Sequence, residues 1–134
     1  MRFRGLLAII LAVMVSGCTT LTRGGTALGV AGPGKATSLA FKADPSFGSA
    51  LSRRDWRRLA RAELKALDFV RGGRSASWGQ PSGRARGRVQ VSQPFSIASR
   101  ECRRFSHAIN VRGEAESVTG VACRTQGGPW ALVS

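Results

Sequence analysis

The sequence predicts an α+β fold: one N-terminal amphipathic helix packed on a small antiparallel sheet of four or five strands, closed by one disulfide. Three observations predict it. Apolar residues recur at helical spacing between Ser52 and Asp68. The pattern switches to strand-like alternation after Gly72-Gly73. Two cysteines, Cys102 and Cys123, sit at equal distances from a turn at Arg112-Gly113.

The helix comes first. Ser52 followed three residues later by Asp55 is a capping-box-like start, with Asp in place of the commoner Glu. Trp56, Leu59, Ala60, Leu64 and Leu67 then form an apolar stripe. Arg53, Arg54, Arg57, Arg58, Arg61 and Lys65 point in other directions. A helix covering a sheet fits this pattern, because a strand-rich region follows that needs a cover. A basic helix lying on a membrane surface is the alternative.

The strands follow in order. Ser75 to Trp78 is a short strand, and Gly79-Gln80-Pro81-Ser82-Gly83 is a turn by composition. Gly87 to Ser92 is a second strand with Val89 and Val91 on one face. Pro94 to Ser99 is expected to be a loop from which Phe95 and Ile97 plug into the core. Cys102 to Val111 is the longest strand: Phe105, His107, Ile109 and Val111 alternate with Cys102, Arg104, Ser106, Ala108 and Asn110. Glu114 to Arg124 is its hairpin partner. Gly127-Gly128-Pro129 leads into a last strand, Trp130 to Val133.

The central hairpin predicts the disulfide. A two-residue turn at Arg112-Gly113 pairs Val111 with Glu114, an exchange of two hydrogen bonds. Nine residues back along each strand, Cys102 meets Cys123. That odd step makes the cysteine pair non-hydrogen-bonded, with Cα atoms about 4.5 Å apart, near the short limit for a disulfide. Closing this loop of about 20 residues contributes roughly 3 kcal/mol in the chain-entropy model. The chain has no C-x-x-C, and His107 is its one histidine. A zinc site lacks its ligands, so no metal is expected.

The N-terminus is of another kind. Arg2 and Arg4 precede an apolar run from Leu6 to Val15, too short to span a bilayer. The run ends at Val15-Ser16-Gly17-Cys18, which resembles the bacterial lipobox. The resemblance implies a signal peptide over 1–17, removed on export, and lipid, palmitate included, on Cys18. Several acyl chains make such attachment effectively permanent, where one chain holds weakly. Residue 19 is Thr; an aspartate there would be the inner-membrane retention signal, so sorting to the outer membrane is expected. With Cys18 lipidated, Cys102 and Cys123 remain as an even pair in an oxidising compartment. Residues 18–50 are expected to be a lipidated flexible tether, and 51–134 the folded domain. Gly25 and Gly29 give one GxxxG match, but Pro33 speaks against a packed membrane hairpin. Leu39, Phe41 and Phe47 are isolated anchors in an otherwise polar linker.

Charge narrows the partners. The chain has 21 Lys and Arg against 7 Asp and Glu, a formal net charge of +14. Such a surface attracts polyanions: anionic glycolipid, phospholipid headgroups or cell-wall polymers such as peptidoglycan. Aromatics interleaved with base-reading side chains are not evident, so no specific nucleic acid is expected. Arg84, Arg86 and Arg88 are the candidate anion-binding residues, which such a role requires to group on one cationic face. No catalytic residues are assigned. His107 lies inside a strand, the acidic residues form no dyad or triad with a nucleophile, and no phosphate loop or dinucleotide fingerprint is present. No cofactor and no small-molecule substrate are expected.

Several short motifs occur together. They are Trp78-Gly79-Gln80-Pro81-Ser82-Gly83, Gly87, Cys102-Arg103-Arg104-Phe105, Gly113, Gly120-Val121-Ala122-Cys123-Arg124, Gly128 and Trp130. Over about residues 52–134 the sequence resembles the C-terminal domain of the bacterial 17 kDa surface-antigen family. Members are outer-membrane lipoproteins, so the resemblance implies a lipid-anchored antigen at the outer membrane. The family carries no defined activity to transfer. The leading expectation is therefore a non-enzymatic envelope lipoprotein presenting a basic domain. The alternative is an envelope binding or inhibitor module that captures an acidic ligand: cell-wall polymer, glycolipid or an acidic protein.

Overall fold

A computed structural model of the chain describes residues 32–134. The signal peptide expected over 1–17, Cys18 and the stretch through residue 31 lie outside the described residues. After a 3-10 turn at Lys35–Thr37 come α1 (Leu39–Ala43) and α2 (Arg53–Phe69). Six strands follow: β1 (Ser75–Gly79), β2 (Ala85–Val91), β3 (Phe95–Ile97), β4 (Arg100–Val111), β5 (Glu114–Arg124) and β6 (Ala131–Leu132). They form one antiparallel sheet in the order β1-β2-β4-β5-β6, with β3 beside β4.

The helix starts where its cap predicts. Ser52 Oγ accepts the Asp55 amide at 3.1 Å and donates to the Asp55 carboxylate at 2.6 Å. Its buried face is not quite the expected stripe. Trp56, Leu59, Ala60, Ala62, Glu63, Ala66 and Leu67 are buried, whereas Leu64 is 40% exposed. The helix face packed on β1 and β2 is centred one residue earlier, and a carboxyl side chain takes the place expected for leucine.

The hairpin has the expected register. Arg112 (φ 53°) and Gly113 (φ 88°) form the two-residue turn, both in the left-handed region that a type I′ connection needs. Pairing runs unbroken from Val111 with Glu114 to Glu101 with Arg124 and sets Cys102 against Cys123. The two cysteines are disulfide-bonded, with Cα atoms 4.0 Å apart, the close spacing of a non-hydrogen-bonded pair.

Three expectations are corrected. The sheet has six strands, not four or five, because Phe95–Ile97 pairs with Arg100–Cys102. Its turn, Ala98-Ser99, takes positive φ without glycine or asparagine, so composition conceals it. Phe95 and Ile97 do not plug into the core; Ile97 is 41% exposed. The tether expected over 18–50 does not reach residue 50. Leu39, Ala40, Phe47 and Leu51 are buried in the core. Phe41 and Phe47 meet the Trp56 ring edge-to-face at 5.9 and 6.4 Å, which fastens this segment to α2.

The sheet therefore has two unlike faces. Ala76, Trp78, Val89, Val91, Phe105, His107 and Ile109 point toward the helices and are buried. Gly87 lies on this side because a Cβ there would come within 2.9 Å of the Trp78 ring. Among the described residues, no helix packs on the opposite face.

Candidate functional site

The most buried polar groups gather under α1. Glu63, from α2, accepts hydrogen bonds from the Leu39 amide (2.8 Å), the Ala40 amide (3.1 Å) and Ser38 Oγ (3.1 Å). It thus satisfies N-terminal amides of α1 that the Ser38 side chain leaves without a cap. His107 Nε2, from β4, lies 2.8 Å from the same carboxyl. His107 Nδ1 is buried without a partner. A proton on Nδ1 would be an orphaned donor and would leave two lone pairs facing each other, so Nε2–H donates to Glu63. Both side chains are at most 2% exposed. This node fastens α1, α2 and β4 together, and Glu63 also borders a hollow of about 560 Å³ beside Asp68, Arg124 and Trp130.

Two motif arginines also build scaffold. Arg103 is 4% exposed and donates to the carbonyls of Ala66, Leu67 and Val70, the last of these at 2.6 Å. It also donates twice to the Ser92 carbonyl. The Ala66, Leu67 and Val70 carbonyls are at the C-terminal end of α2, where Ala66 O also accepts the Val70 amide, and a cation suits that end of the dipole. Burial pulls the Arg103 pKa below its ordinary value, with Glu101 opposing and Arg124 adding to the effect; the guanidinium stays charged. Arg124 bonds Asp68 at 2.8 Å and Glu101 at 3.0 Å, and lies 4.4 Å above the Trp130 ring. Trp130 Nε1 donates to the same Asp68 oxygen. Gly120 leaves room for Phe105, whose ring would stand 2.6 Å from a Cβ there.

The open sheet face is a surface of another kind. Cross-strand rows on it read Gly79, Arg86, Asn110, Ala115; then Ser77, Arg88, Ala108, Ser117; then Ser75, Gln90, Ser106, Thr119. Arg104 and Val121 continue it. Arg86, Arg88 and Arg104 are exposed. A shallow depression of about 380 Å³ opens over Ser77, Arg86, Arg88, Ala108 and Asn110. None of the seven acidic residues lies on this face. Glu101, Glu114 and Glu116 have the opposite strand parity, Asp55, Glu63 and Asp68 are on α2, and Asp44 follows α1.

The expected anion-binding residues are thus only partly brought together. Arg86 and Arg88 share the depression, while Arg84 precedes β2 and lines a separate hollow with Arg54, Asp55 and Arg58. Arg104 joins the cationic face through the β2–β4 register, which spacing along the chain does not reveal. Cys102 and Cys123 are buried, and their bond closes the β4–β5 hairpin. Among the described residues, no three His, Cys, Asp or Glu side chains gather as a metal site.

No curated protein and no solved structure matches the chain. The family model for the 17 kDa outer membrane surface antigen matches residues 65–131, half of the chain, from the last turns of α2 into β6. That span holds both Cys-Arg motifs, Trp130 and every arginine of the open face. The chain belongs to the 17 kDa outer membrane surface antigen family and is accordingly a protein of the outer membrane.

Proposed function

We propose that this is a non-enzymatic lipoprotein, held at the outer membrane by lipid on Cys18, which presents its open sheet face to an anionic polymer of the envelope. Residues 1–17 direct export. A tether ending near Gly34 holds the domain. The ligand is an extended, carboxylate-bearing cell-wall polymer such as peptidoglycan.

One observation carries the reading: an exposed face across β1, β2, β4 and β5 with Arg86, Arg88 and Arg104 and no acidic residue. Guanidinium groups bind carboxylates through two parallel hydrogen bonds. Ser77, Ser106, Ala108 and Ser117 beside them have short side chains, so a polymer can lie flat across the strands. The hollow is shallow, which suits a chain better than an enclosed small molecule.

Two experiments test the parts separately. Clickable palmitate should label the wild-type protein and not Cys18→Ser, which should also persist as precursor; normal cleavage of that variant would mean an ordinary signal peptide. Purified cell-wall sacculi should sediment the protein at low salt and release it as salt rises. Replacing Arg86, Arg88 and Arg104 by glutamine should abolish that sedimentation, and unchanged binding would remove the open face from the account.

A further inference from the structure

We infer that the solvent face of α2 is a docking surface for an anionic phospholipid bilayer. Arg53, Arg57, Arg61, Lys65 and Phe69 follow one another at four-residue steps, so they form a single ridge along the helix. That ridge spans about 24 Å. All four cations are exposed. Phe69, at the end of the ridge, is 82% exposed, the most exposed large apolar side chain among the described residues.

The neighbouring charges leave the ridge cationic. Asp55 is engaged by Ser52 and by Arg58 at 3.6 Å, and Asp68 by Arg124 and Trp130. Arg71 and Arg74 stand exposed just past Phe69. Cations beside an exposed aromatic are the composition of a helix that lies in a membrane interface, where the ring enters the acyl boundary and the cations meet phosphates. Packing of the opposite face on β1 and β2 does not compete with this. The sheet alone would leave Phe69 in water without a partner.

Phospholipid is favoured over glycolipid by reach. A phenylalanine ring crosses a phosphate headgroup layer but not a layer of core sugars. The phospholipid leaflet of the outer membrane faces the periplasm, so this contact places the domain on that side. It also turns the open sheet face, which is opposite α2, away from the membrane. The inference does not depend on what that face binds.

The test uses the full chain in vesicles, with flotation reporting attachment separately from contact. Phe69→Trp is compared with Ser117→Trp, on the open face, using lipids brominated near the headgroup as quenchers. Tryptophan at 69 should be quenched in vesicles containing phosphatidylglycerol and not in pure phosphatidylcholine, and tryptophan at 117 in neither. Adding Arg57→Glu, Arg61→Glu and Lys65→Glu should remove the quenching while flotation persists. All these positions are exposed, and unchanged circular dichroism would confirm the fold. Floating protein whose residue 69 is unquenched in anionic vesicles, or is quenched equally after charge reversal, overturns the inference. Quenching that appears only when anionic glycolipid is added overturns the choice of phospholipid.

Discussion

Glu63 and His107 meet at 2.8 Å in the middle of the core, one from α2 and one from β4, and the same carboxyl holds the first turn of α1. A single acidic side chain thereby joins three elements. Phe47 and Phe105 enclose the imidazole edge-to-face, with ring centroids at 6.1 and 5.7 Å.

Glu63→Ala should therefore cost more than a cavity. It strands two amides, a hydroxyl and an imidazole N–H, and breaking a buried pair of this kind costs about 3–5 kcal/mol. Urea unfolding would measure the loss. Hydrogen exchange should show it first at the Leu39 and Ala40 amides. Protection there equal to wild type would mean that α1 is held by its aromatic contacts alone.

Arg103→Met should lower stability by about 2–3 kcal/mol, because four backbone carbonyls lose a charged donor. Arg103→Lys should recover only part, since an ammonium lacks the planar fork that reaches Ser92 and the end of α2 together. Thermal unfolding of the two variants checks the order. Full rescue by lysine would reduce Arg103 to a buried charge.

Removing both sulfurs, with Cys102→Ala and Cys123→Ala, should cost about 3 kcal/mol, the value expected for closing a loop of this length. The cysteines are 21 residues apart. Non-reducing peptide mapping should recover the Cys102–Cys123 pair, and reduction should lower the unfolding midpoint. Two free thiols in the exported protein would contradict the register of the hairpin.

The parts of the fold legible in the sequence are those set by short-range rules. The Ser52 cap, the turn at Arg112-Gly113 and the alternation of β4 each depend on residues a few positions apart, and a bulge-free hairpin carried the register out to the cysteines. Glu63 was not legible. Its partners Ser38 and His107 are 25 and 44 residues away, and a helical stripe search treats glutamate as solvent-facing. The segment 35–50 reads as linker because its polar residues outnumber its anchors, yet Trp56 offers two aromatic rings a place to pack. The sequence offered Arg84, Arg86 and Arg88 as one candidate cationic group, and β2 places Arg86 and Arg88 on one face. Arg84 left that face because β2 begins only at Ala85.

The most direct test of the central claim is an amide NMR titration of the lipidated mature protein, in detergent, with soluble peptidoglycan fragments. Shifts should concentrate at Ser77, Arg86, Arg88, Ala108 and Ser117, shrink with added salt, and vanish when Arg86, Arg88 and Arg104 become glutamine. Shifts confined to α2, or none on the open sheet face at low salt, would contradict it.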